Sequence, residues 1–95
     1  MGYHCLNLEF TKQEKTSLYD WYFAIHNELE IKLCFEHSSL AGDDLSSMNV
    51  IISIRGNVIY NTNYRFISLN SVQHKLDEIT NYFKVLNQHL IEIKI

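Results

Sequence analysis

Ninety-five residues, 46% of them hydrophobic and including six Tyr, five Phe and one Trp, suffice for one core and leave no room for a linker or second domain, so residues 1–95 read as a single domain. Eight basic against eleven acidic side chains give a net charge of −3, and the Lys and Arg are scattered singly, which argues against nucleic acid and anionic lipid as partners and leans towards a basic one. Two isolated cysteines, Cys5 and Cys34, make no disulfide framework and are expected as free thiols.

The N-terminal Met-Gly-Tyr-His-Cys has neither a basic lead nor an apolar run of signal length, and no stretch approaches about 18 apolar residues, so a cytoplasmic location is expected. Gly2 does not fit an acylation site, because position 6 is Leu where Ser or Thr is needed. Residues 3–10 alternate, with Leu6, Leu8 and Phe10 on one side, and predict a half-buried strand. Thr11-Lys12-Gln13-Glu14 then fits a capping box, and Leu18, Trp21, Tyr22 and Ile25 recur at helical spacing, which predicts a helix closed by Asn27. On that helix Leu18, Trp21 and Tyr22 face the core, while Tyr19 and Phe23 lie about 100° and 140° from Leu18, at its edge or beyond.

From Leu29 the parity changes, Leu29, Ile31, Leu33 and Phe35 alternating against Glu28, Glu30, Lys32 and Glu36 as in a strand. Ser38 to Ser47, with Gly42-Asp43-Asp44, reads as the one substantial loop. Val50-Ile51-Ile52-Ser53-Ile54 is the most continuous β-branched run, and Gly56-Asn57 turns it into a second run through Ile67. Two signals conflict at this hairpin. A two-residue Gly56-Asn57 loop would put Asn61, Asn63 and Arg65 on the face of Val50, Ile52 and Ile54. A shift by one residue pairs Ile54 with Val58, Ile52 with Tyr60, Val50 with Thr62 and Met48 with Tyr64, and keeps one face apolar. The second register is expected, with an odd-length loop or with a two-residue turn corrected by a bulge.

Asn70-Ser71 offers a cap, and Val72, Leu76, Ile79, Phe83 and Leu86 mark a helix over Gln73 to Asn87. A last strand is expected where Ile91, Ile93 and Ile95 alternate with Glu92 and Lys94. The order is β-α-β-β-β-α-β: an α+β two-layer sandwich, with one mixed, mostly antiparallel five-stranded sheet and both helices on one face. Its simplest strand order is sequential.

No chemistry-bearing constellation emerges. His4-Cys5 and Cys34-x-x-His37 have zinc-ligand residue types, but neighbours in a strand point to opposite faces, so no metal is expected. Neither cysteine has an evident histidine base, His26, His74 and His89 lying at or near helix ends. The glycines at 2, 42 and 56 open no phosphate-binding helix, so no cofactor is expected. The acid pairs Asp43-Asp44 and Asp77-Glu78 have no apolar wall to make them proton donors. An acidic domain without catalytic groups but with off-core aromatics points to a non-enzymatic protein that binds another protein: an inhibitor or immunity-type partner of a basic toxin or nuclease. Its contact residues would be Tyr19, Phe23, Glu36, Asp43 and Asp44. The alternatives are a homo-oligomeric assembly subunit, a homodimer for example, and a small enzyme or ligand-binding domain.

Overall fold

The computed structural model describes residues 2–37 and 44–89. Seven strands and one long helix follow one another: β1 (His4–Cys5), β2 (Leu8–Glu9), β3 (Lys12–Lys15), β4 (Tyr19–His26), β5 (Leu29–His37), β6 (Asp44–Ile54), β7 (Asn57–Ser68) and α1 (Val72–His89). Strands β3 to β7 form one antiparallel sheet in sequential order, and β1 and β2 form a separate hairpin. The α+β class and a five-stranded sheet agree with expectation, but only β5, β6 and β7 are strands that were expected: β3 and β4 arise from the predicted first helix, and the predicted first strand lies outside this sheet. The sheet, however, is antiparallel throughout, and among the described residues there is one long helix rather than two. The expected strand at 91–95 lies outside the described residues.

The predicted first helix is the main correction. Its residues form the β3–β4 hairpin, in which Lys12 faces Phe23 and Lys15 faces Asp20. Aromatic and β-branched side chains favour extended backbone; Tyr19, Trp21, Phe23 and Ile25 fill one parity of the run, and Tyr22 and Ala24 supply apolar side chains to the other, so it can line two faces of a sheet. Thr11 caps nothing. Its amide donates to the Phe23 carbonyl (3.1 Å), extending the pairing of β3. The hairpin closes where the Thr16 amide donates to the Tyr19 carbonyl (2.8 Å) and the Tyr19 amide donates to the Thr16 hydroxyl (3.1 Å). Asn27 does take the left-handed conformation expected of it, at φ 54°, but in the β4–β5 turn rather than at a helix end.

Residues 3–10 are not one strand either. Leu6 and Asn7, at φ 53° and 64°, form the two-residue turn of the β1–β2 hairpin. Helix α1 holds that hairpin: the Gln73 side-chain amide donates to the His4 carbonyl (2.9 Å) and accepts from the His4 amide (3.0 Å), as a neighbouring strand would. The Leu6 amide donates to Thr80 Oγ1 (3.0 Å). A 3-10 turn, Leu69–Ser71, leads into the helix, with the Ser68 hydroxyl accepting from the Asn70 amide (3.1 Å). Val72, Leu76 and Ile79 are buried as the period requires, Phe83 is half-buried and Leu86 is more exposed. The helix runs past the expected stop at Asn87 to His89.

Helix and hairpin lie together on one face of the sheet. Beneath them are Tyr22 and Ala24 of β4, Ile31, Leu33 and Phe35 of β5, and Met48, Val50 and Ile52 of β6. The β6–β7 register resolves the conflict in the sequence. Ile52 pairs with Tyr60, Val50 with Thr62 and Met48 with Tyr64, as the apolar pattern requires. The turn is Arg55-Gly56, both residues at positive φ (53° and 79°), so that Ile54 pairs with Asn57 rather than Val58. A bulge at Ile59 then restores parity before Tyr60. Burial outweighs the turn signal.

Candidate functional site

Beta pleating sends every second residue of β4 to the side of the sheet that no described element covers, and the sequence places Tyr19, Trp21, Phe23 and Ile25 there. They form a ridge along the strand. Trp21 and Phe23 stack with their centroids 6.5 Å apart and planes 16° apart, and Lys12 Nζ lies 5.4 Å from the Phe23 ring centroid. Tyr19 and Ile25 are exposed, and Trp21 and Phe23 half-buried. Cross-strand pairing sets polar rows beside the ridge: Phe23 next to Lys32 and then Ile51 and Asn61, Trp21 next to Cys34 and then Asn49 and Asn63, Tyr19 next to Glu36 and then Ser47 and Arg65.

Three of the five expected contact residues thus share one surface. The Tyr19 hydroxyl donates to Glu36 Oε2 (3.4 Å), and the Ser47 hydroxyl donates to Glu36 Oε1 (3.2 Å). Lys12–Glu14 (3.6 Å), exposed, and Lys32–Glu30 (3.8 Å), half-buried, are pairs within their own strands. Glu36 forms no ion pair among the described residues. Asp43 lies outside the described residues, and Asp44 is the first residue of β6, opposite Ser68. Trp21, expected in the core, belongs to this face instead. Leu18 and Ile25, expected beside it, are exposed, and of the four only Tyr22 is buried. A period of two over 19–26, with Tyr22 and Ala24 on the other parity, is the signal that locates this ridge.

The opposite side of β4 carries Asp20, whose nearly buried carboxylate lies 2.6 Å from His37 Nε2. The β5–β6 register shifts between Glu36 and His37, and the His37 amide donates to the Leu18 carbonyl (3.3 Å), so the pair locks the end of β5 to β4. Of the other histidines and acids, His74 lies 3.4 Å and Lys75 3.6 Å from Glu78 on the outer side of α1, and Asp77 accepts from Gln73 (2.8 Å). The residues considered for zinc are separated: Cys5 is in the core under Leu76, His4 is exposed, Cys34 is on the open face and His37 is on Asp20. Among the described residues no three His, Cys, Asp or Glu side chains converge on a metal position.

Burial pushes both thiols up to about 11, which is the opposite of nucleophile activation; at Cys34 the nearby Glu36 and Asp20 charges add to it. At pH 7.5 the native chain should therefore react with Ellman's reagent at least about 100-fold more slowly than the urea-unfolded chain. Rapid labelling of one native thiol would reveal an activated cysteine. The same shift works on stability. A thiol that ionises near 9.0 unfolded and near 11 folded favours the fold fully below pH 9 and loses that contribution as pH rises through 11. For Cys5 the loss is roughly 2–3 kcal/mol. Burial also raises Tyr22 and Tyr64, which acts in the same direction.

One apolar depression, of about 240 Å³, lies between the hairpin tip, the β4–β5 and β6–β7 turns and the helix, lined by Leu29, Ile54, Ile59 and Phe83 with Lys84 at its rim. It is smaller than the roughly 300–1,000 Å³ of typical ligand pockets. No helix among the described residues is long and apolar enough to cross a membrane. Comparison with protein-family models, with curated proteins and with solved structures finds no match.

Proposed function

We propose that this chain is a cytoplasmic, non-enzymatic protein-binding domain of the inhibitor or immunity type, which neutralises a basic toxin or nuclease through the uncovered face of its sheet. The observation that carries the reading is the ridge Tyr19-Trp21-Phe23-Ile25. Four large apolar side chains stand in line on a face that no described element covers, and flat aromatics give contact area with little rotamer entropy to lose. Glu36 adds the charge. An Arg or Lys of the partner can displace the weak Tyr19 and Ser47 contacts to reach its carboxylate, with the Tyr19 ring alongside as a cation–π surface. The net charge of −3 steers a basic partner towards the domain.

The test is to recover the partner with the tagged chain from its own cells, purify it, and titrate its activity and binding against variants. Stoichiometric suppression of the partner's activity is expected. Tyr19→Ala with Phe23→Ala should weaken binding about tenfold or more at a stability cost of no more than about 2 kcal/mol, since both side chains project away from the core and the loss is that of partial burial and the Trp21 stack. Glu36→Gln should slow association mainly at low salt, and the difference should vanish at high salt. A partner that binds the Tyr19→Ala, Phe23→Ala chain as tightly as the native chain would remove the open face from the proposal.

A further inference from the structure

The two edges of the sheet differ in kind. Edge strand β3, Lys-Gln-Glu-Lys, is short and charged, the usual defence against pairing with another chain. The other edge, β7, has twelve residues, with Arg65 its one charged side chain and no proline. Its pairing with β6 is uninterrupted from Tyr60 to Arg65, between the bulge at Ile59 and the left-handed Phe66 (φ 56°). Among the described residues nothing pairs with the outer side of β7.

We propose that the outer edge of β7 pairs antiparallel with β7 of a second copy of this chain, about a two-fold axis through Thr62, to make a ten-stranded sheet. This surface is distinct from the open face and does not depend on what that face binds. Residues directly opposite must point to the same side, which limits a symmetric pairing to registers centred on a residue. Centring on Thr62 keeps Tyr60 to Tyr64 inside the regular stretch, and only Arg65 reaches the bulged Ile59. It sets Thr62 against Thr62 and Tyr60 against Tyr64 on the covered side, Asn61 against Asn63 on the open side, and Arg65 against Ile59. All of these are compatible neighbours, and the two Arg65 charges stay apart.

Five residues of regular backbone pairing span only about 17 Å, and the roughly 800 Å² per partner of a stable interface needs more. The helix supplies it. Tyr82 packs on Tyr60 of the edge strand (5.8 Å between centroids) and is still 53% exposed, and Val85 and Leu86 continue the apolar flank one turn on. A two-fold axis perpendicular to the sheet brings this flank of α1 towards its counterpart on the second copy. The same axis leaves both aromatic ridges on one side of the joined sheet.

The experiment is sedimentation equilibrium of the full chain over a wide concentration range. The expected particle has twice the 11.2 kDa chain mass. Asn61→Lys with Asn63→Lys sets lysine against lysine at two places on exposed positions and should raise the dissociation constant at least about tenfold. Asn61→Lys with Asn63→Asp sets lysine against carboxylate in this register and should restore the dimer. A single-chain mass at every concentration overturns the proposal and leaves the edge to an extended segment of another protein or to residues 90–95. A charge-swapped variant as weak as the double lysine overturns the Thr62 register. If the double lysine variant loses its native circular dichroism, amide exchange of Tyr60–Arg65 in the unsubstituted chain decides: protection that rises with concentration supports the pairing, and protection independent of it refutes it.

Discussion

Phe35→Ala is expected to cost about 3–5 kcal/mol, a large part of the roughly 5–14 kcal/mol available to a chain of this length. The ring is 1% exposed and lies where three parts of the fold meet. It packs edge-on to Tyr3 before the first hairpin (5.8 Å between centroids) and tilted against Tyr22 of β4 (5.1 Å), from its own place at the middle of the sheet in β5. Truncation leaves a cavity that two other aromatic rings cannot fill without giving up their own contacts. Trp21→Ala is the informative comparison. Its indole is half-buried on the open face, so the loss should be no more than about 2 kcal/mol, made of partial burial and the Phe23 stack. Urea titrations with unchanged slopes give both values. A loss for Trp21→Ala as large as that for Phe35→Ala would sink the assignment of faces in β4, because a helix over residues 11–27 places both side chains in the core.

The second large effect is expected at the Asp20–His37 pair. His37→Ala should destabilise by about 1–3 kcal/mol, because the Asp20 carboxyl group, 11% exposed, loses its hydrogen-bond partner. The His37 side chain is 47% exposed, which keeps the figure below that of a fully buried pair. Removing Asp20 as well, as Asp20→Ala with His37→Ala, should cost less than the sum of the two single changes, since no stranded carboxylate remains. Additive losses in that double-mutant cycle would show that the 2.6 Å contact contributes nothing to the fold.

The hairpin from Met48 to Ile67 and the face of α1 were legible in the sequence for the same reason: each has one apolar side and one polar side. Shifting β7 by one residue against Val50 and Ile52 buries Asn61 and Asn63, so the register is decided by local pattern and the turn adapts, with Arg55 accepting φ 53° and Ile59 the bulge. Asn27 was legible as a residue at positive φ, although not as a turn between strands. The open-face ridge was half legible. Tyr19 and Phe23 were readable as off-core aromatics, but Trp21 was assigned to the core with Leu18 because the spacing 18, 21, 22, 25 matches a helix.

That match is coincidental, and only long-range pairing exposes it. In residues 19–26 one parity is wholly apolar and the other carries Tyr22 and Ala24 between Asp20 and His26, so the period of two is present but competes with the helical spacing of Leu18, Trp21, Tyr22 and Ile25. Likewise, Thr11-Lys12-Gln13-Glu14 carries a local capping pattern, but β3 finds partners in β4 for the amides that a cap would serve. By itself the sequence determined the α+β class, the central hairpin with its register, and the helix from Val72. Tertiary structure decided that 12–26 is a hairpin: β5, with Ile31, Leu33 and Phe35 buried against β6, needs a second neighbour for its other row of amides and carbonyls, and among the described residues β4 provides it.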